Sequence, residues 1–121
     1  MKINLHHCHL FASNLDESLS FYKEMFDAEV LLDAEVVGVR NVMISIGSGI
    51  INFYDQPPKD EGRGAVHHLG IETDDIEALV EKMKNKGHQF RKPISDLGLL
   101  KYVMVAGPDN ILIELFQSVE T

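Results

Sequence analysis

Residues 3–26 read Ile3-Asn4-Leu5-His6-His7-Cys8-His9-Leu10-Phe11-Ala12-Ser13-Asn14-Leu15-Asp16-Glu17-Ser18-Leu19-Ser20-Phe21-Tyr22-Lys23-Glu24-Met25-Phe26, and their pattern decides the fold. The first part is predicted to be a strand over 3–12. Its odd positions, Ile3, Leu5, His7, His9 and Phe11, share one face, so His7 and His9 point the same way. Asn14-Leu15-Asp16-Glu17 has the form of a capping box. Leu15, Leu19, Tyr22 and Phe26 then recur at helical spacing and predict a helix over 14–26. Strands follow near 29–38, 41–47 and 50–55, with turns at Gly38 and at Gly47-Ser48-Gly49.

The same order returns after a polar, Pro- and Gly-containing linker, Asp55-Gln56-Pro57-Pro58-Lys59-Asp60-Glu61-Gly62-Arg63-Gly64. Residues 65–73 are predicted to form a strand carrying His67-His68. Asp74-Asp75-Ile76-Glu77 opens a helix with Ile76, Leu79, Val80 and Met83 on one face and Gly87 as its stop. Strands are expected near 88–94, 100–106 and 110–117. The register supports a duplication. His7 and His68 are 61 residues apart (7 to 68), and each lies seven residues before a capping residue, Asn14 or Asp75. Ile51-Asn52-Phe53-Tyr54 and Ile113-Glu114-Leu115-Phe116 are 62 apart (51 to 113) and share a pattern. The expected organisation is one domain, 1–121, made of a strand–helix–strand–strand–strand module at 1–57 and another at 64–121.

Bulk properties narrow the function classes. With 45% apolar and 25% charged residues, the 121-residue chain has the composition of an ordinary globular protein. Its net charge of -8 and lack of a basic run argue against a nucleic-acid partner. The single cysteine, Cys8, excludes an internal disulfide. No apolar run approaches the roughly 18–20 residues that span a bilayer, and the N-terminus lacks the features of a signal peptide. The expectation is a cytoplasmic protein with no membrane partner.

Five of the six histidines fall in two clusters, His6, His7 and His9 in one and His67-His68 in the other, with His88 apart. Equivalent strands of a duplicated fold would bring one His from each half towards a common place. Glu114 lies in the apolar run Ile111-Leu112-Ile113-Glu114-Leu115-Phe116, where a carboxylate is costly to bury unless paired or metal-bound. Its neighbours on both faces are apolar, so both faces are expected to be covered. Two imidazoles and a carboxylate suit Fe(II), Mn, Ni, Co or Zn. On residues alone, His68 is a ligand or a hydrogen-bonded strand histidine. His9 is an acid/base group beside the metal or a wall residue. His6 and His67 are expected to point away, as packing or interface residues. Tyr54 shares the face of Asn52 and is a candidate substrate contact. Lys101 or Tyr102 is expected at the cavity mouth, and Arg63 is a candidate for an anionic substrate group.

Three segments carry a resemblance: 7–22, then Val66-His67-His68-Leu69-Gly70-Ile71-Glu72-Thr73-Asp74-Asp75-Ile76, and Gly107-Pro108-Asp109-Asn110-Ile111-Leu112-Ile113-Glu114-Leu115. Across essentially its whole length the chain resembles the vicinal oxygen chelate superfamily, the group of glyoxalases, bleomycin-resistance proteins and ring-cleaving dioxygenases. The resemblance implies an α+β fold of two βαβββ modules forming a curled mixed sheet around a metal cavity. It implies one divalent metal ion on His7, His68 and Glu114, with His68 rather than His67 as the ligand. The fourth equivalent position is Asn52, where glyoxalase I-like members carry Glu or Gln.

The implied function is a metal-dependent lyase or isomerase acting on a small oxygen-chelating substrate. Glu114 and His9 would be its catalytic residues, and Asn52, Tyr54 and Lys101 would contact the substrate. Ring-cleaving dioxygenase and thiol transferase chemistry are the alternatives with a three-ligand site. A metal-free ligand-binding protein of the bleomycin-resistance kind is the alternative from another class. The resemblance also implies a homodimer.

Overall fold

A computed structural model describes residues 1–2, 5–59 and 66–118. The chain divides into two compact units, Met1–Glu61 and Gly62–Thr121. No helix among the described residues is long and apolar enough to cross a membrane.

Unit 1 contains β1 (Cys8–Phe11), α1 (Leu15–Phe26), β2 (Glu29–Val36), β3 (Val39–Ile46) and β4 (Gly49–Tyr54). Asn14 caps α1, its side chain accepting a hydrogen bond from the amide of Glu17 at 3.1 Å. The helix buries Leu15, Leu19, Tyr22, Met25 and Phe26, and the sheet buries Val42, Ile44, Ile51 and Phe53. The Tyr22 and Phe53 rings lie 5.5 Å apart, so α1 covers this face of the sheet.

Unit 2 contains β5 (Leu69–Glu72), α2 (Ile76–Asn85), β6 (Ser95–Asp96), β7 (Leu100–Ala106) and β8 (Leu112–Ser118). Asp75 caps α2 through the amide of Ala78, and Gln117 on β8 accepts from the amide of Ile76 at 2.8 Å. This second bond ties the helix start to the sheet. Gly87, at φ +93°, follows the helix in the left-handed region and donates to the carbonyl of Lys84. Ile76, Val80 and Met83 are buried with Val103, Val105, Ile113 and Leu115.

The sheets correct the fold expected from the sequence. Among the described residues there is no curled mixed sheet around a metal cavity, but two four-stranded sheets, ordered β1-β4-β3-β2 and β5-β8-β7-β6. Neither closes. β1 and β5 are four-residue strands, each with one neighbour, and β2 and β6 end the opposite edges. A sheet curls shut only when its outer strands continue the hydrogen-bond ladder, and here the ladders stop at those edges.

A second difference concerns 88–94. A strand is expected there, but β6 covers only Ser95–Asp96. Pro93 contributes to this, because it has no amide to donate to a neighbouring strand.

The β2–β3 turn places Val37 at φ +51° and Gly38 at φ +78°. A two-residue hairpin of this kind favours Asn-Gly, whereas a β-branched residue is strained there. Val37 is also 97% exposed, so its side chain gains nothing from packing. Val37→Asn is expected to stabilise the protein by about 1 kcal/mol. Urea denaturation checks this, and an unchanged or lowered midpoint would contradict it.

Candidate functional site

β5 and β8 run parallel, with Leu69 opposite Ile113 and Gly70 opposite Glu114. His68 immediately precedes β5, and its ring reaches the same sheet face as Glu114. His68 Nε2 lies 3.9 Å from Glu114 Oε1, and both side chains are about one-third exposed. The carboxylate sits on the half-open face with Leu112 and Phe116, while Ile113 and Leu115 on the other face are fully buried. The sequence pattern suggested two covered faces. The structure shows one core face and one that solvent can reach.

The other nitrogen of His68 is engaged as well. His67 Nδ1 and His68 Nδ1 are 2.8 Å apart, so one donates to the other. When His68 is the donor, its Nε2 keeps a lone pair facing Glu114. When His67 is the donor, His68 Nε2 carries the proton instead. The contact therefore links the His68 tautomer to the chemistry it can do. Residues 66–68 precede the strand, so strand alternation does not separate the two rings.

Unit 1 repeats this arrangement. His7 immediately precedes β1, and His6 Nδ1 lies 2.9 Å from His7 Nδ1. His6 and His67 thus meet their neighbours ring to ring, where the sequence reading had them pointing away. Cys8 pairs with Ile51 and His9 with Asn52. Asn52 therefore holds the rung in unit 1 that Glu114 holds in unit 2. His9 holds the rung that Gly70 leaves without a side chain.

The His9 ring stacks on Tyr54 with centroids 3.8 Å apart and planes 28° apart, and lies 5.9 Å from the His7 ring. Partial burial lowers the His9 pKa below its ordinary value, and the nearby His7 lowers it further. Both effects favour the neutral imidazole.

The remaining candidates are spread over the two units. Lys101 Nζ is bound at 2.9 Å to Glu77 in the first turn of α2, on the helix side of its sheet. This contact raises the Lys101 pKa and lowers that of Glu77. Tyr102, the next residue, lines a cavity instead. Arg40 on β3 binds Asp33 at 2.9 Å and Asp16 at 3.1 Å, joining the hairpin to α1. Its hydrogen bond holds the Asp33 carboxyl below its ordinary pKa. Arg63 lies outside the described residues.

The geometry within unit 2 can be compared with the needs of a metal. Protein donors sit roughly 2.0–2.2 Å from ions such as zinc, so two donors on one ion lie no more than about 4.4 Å apart. The His68–Glu114 separation of 3.9 Å meets that limit. Two tetrahedral positions on one ion are about 3.4 Å apart, so the pair would hold a divalent ion after its side chains close by roughly half an ångström. Among the described residues, no group of three or more His, Cys, Asp or Glu gathers into a metal-binding cluster.

Comparison with known proteins agrees with this architecture. Lactoylglutathione lyase of Schizosaccharomyces pombe is 29% identical, over 97% of this chain and 48% of its own length. The chain thus spans about half of that relative. A fosfomycin resistance protein from Listeria monocytogenes, crystallised with Mn(II) and sulfate, shares the fold. Its TM-score is 0.77 at 18% identity, covering 98% of this chain and 95% of that one. TnmS3, an antibiotic binding protein from a Streptomyces species, also shares the fold, with a TM-score of 0.80 at 21% identity and 98% of each chain covered. The model of the Glyoxalase/Bleomycin resistance protein/Dioxygenase superfamily matches residues 4–115. With that match over nearly the whole chain, and with two βαβββ units in register, the chain belongs to the glyoxalase/bleomycin resistance protein/dioxygenase superfamily.

Proposed function

We propose that this chain is a metal-dependent lyase or isomerase acting on a small molecule with two neighbouring oxygens. His68 and Glu114 are two of the metal ligands, and the family resemblance gives His7 as the third. The observation that carries the reading is the His68 Nε2 to Glu114 Oε1 approach, with the other His68 nitrogen bonded to His67. A simple ion pair needs no such ring lock. Metal-binding histidines commonly donate their second ring N–H to a carboxylate, a carbonyl or water, and His67 Nδ1 takes that place here. The identity to a lyase supports the reaction class.

A divalent ion at these residues would act as a Lewis acid on the chelated oxygens. The chain's own groups supply the rest. His9, stacked on Tyr54, accepts or returns a proton. The Asn52 amide, opposite His9 on the same rung, donates a hydrogen bond to a substrate oxygen. The reading includes a homodimer, which light scattering of the purified protein checks.

Metal uptake is the direct test. Purified protein is loaded with Mn(II), Ni(II) or Zn(II), desalted and assayed by mass spectrometry of the metal. About one ion per chain is the expected result. Absence of uptake for all three would favour a second reading, a metal-free ligand-binding protein. That reading draws on the lack of a three-residue cluster among the described residues and on the fold shared with an antibiotic binding protein.

A further inference from the structure

The two units match in register except at one strand. In unit 1, β2 pairs with β3 from Glu29↔Ser45 to Val36↔Val39. In unit 2, the corresponding pairing is limited to Ser95↔Tyr102 and Asp96↔Lys101. Beyond Tyr102, the outer edge of β7 carries no strand among the described residues. A cavity of about 420 Å³ opens there, within the size range of small-molecule sites. Gln89, Arg91, Lys92 and Pro93 form one wall, and Tyr102 and Met104 stand on the other.

The charge of this cavity runs against that of the protein. The chain has 19 acidic and 11 basic residues. The charged residues that line the cavity are Arg91 and Lys92, and no Asp or Glu is among its lining residues. Neither forms an ion pair with a described residue. Arg40 and Lys101, by contrast, are held by carboxylates. The rest of the lining combines an apolar surface, including Met104 and Leu112, with the polar groups of Gln89, Ser95, Tyr102 and Asn110. Such a cavity suits a molecule with an apolar body and one oxyanion.

Its position relates it to the proposed site. Met104 is the cross-strand partner of Glu114, and Leu112 precedes Glu114 by two residues on the same face. We propose that this cavity binds the oxyanion end, a carboxylate or a phosphate, of a small apolar-bodied molecule. Arg91 and Lys92 contact the oxyanion, and the body extends along Met104 towards Glu114. That the bound molecule is the substrate rests on the metal-enzyme reading. The binding itself does not.

The test is calorimetric titration of the full chain, without added metal, with phenylacetate, phenyl phosphate and the neutral phenylacetamide. At least one anionic probe is expected to bind more tightly than the amide, and the tighter anion names the oxyanion. The Arg91→Gln/Lys92→Gln double variant should weaken it roughly ten- to hundredfold, the equivalent of a lost charge-assisted hydrogen bond. Arg91→Lys/Lys92→Arg, which keeps both charges, should retain most of the affinity. Equal binding of the amide, no binding of either anion, or undiminished binding by the Gln variant would overturn the proposal. Metal uptake is measured on the same proteins. The Gln variant should keep it, so failure of the cavity proposal and failure of the metal reading are distinguishable.

Discussion

His68→Ala is expected to lower divalent-metal affinity by at least about a hundredfold, the upper end of the loss seen for residues that only support a ligand. Glu114→Gln should have a comparable effect, because a neutral amide replaces the anionic donor. The more discriminating variant is His67→Ala. Its ring nitrogen is 2.8 Å from His68 Nδ1 but is not itself proposed as a ligand. If it fixes the His68 tautomer, its loss should weaken metal binding by roughly ten- to hundredfold. An ion pair between His68 and Glu114 with no metal role would leave metal uptake unchanged in all three variants. Calorimetric titration of Mn(II) or Zn(II) reads the difference. All three side chains are at least partly exposed, so their far-UV circular dichroism should match that of the parent protein.

The largest stability effect is expected at Phe53. Its side chain is 2% exposed and packs on Tyr22, joining β4 to α1. Phe53→Ala removes a buried aromatic ring and leaves a void between sheet and helix. The expected cost is about 3–5 kcal/mol, combining lost transfer energy with the cavity term. Urea unfolding followed by circular dichroism measures it. A loss below about 1 kcal/mol would mean that α1 closes over the gap or that the ring is not part of the core. Phe53 adjoins Asn52, so a variant that still folds should also show altered chemical shifts around Asn52 and His9.

How much of this was legible from residue order depends on the range of the interaction concerned. The helices begin after the capping residues that the sequence suggested, since a cap is a contact across three positions. The shared register of His7 with His68 and of Asn52 with Glu114 was equally plain: the strand pairings place Asn52 and Glu114 on matching rungs, and His7 and His68 each immediately precede the first strand of their unit. The strand expected over 88–94 does not form, and β6 is confined to Ser95–Asp96 after Pro93. The cavity lined by Arg91 and Lys92 opens in its place. No local pattern would have singled out those two cations, because their isolation depends on where the acidic residues fold. The assignment of Lys101 and Tyr102 was likewise undecidable beforehand. Adjacent strand residues face opposite sides, and only the location of α2 shows which side holds Glu77.

The sequence by itself determined that a strand–helix–strand–strand–strand unit occurs twice, that His7 and His68 hold equivalent places, and that Glu114 interrupts an apolar strand. Those features rest on periodicity and on contacts between near neighbours. Only the tertiary structure decided that the sheets are two and open, that His67 and His68 are bonded ring to ring, and that His68 reaches Glu114. Strand pairing and ring orientation are set by partners far along the chain and by which sheet edges find one. A one-dimensional pattern records the buried face of a strand but not its neighbour.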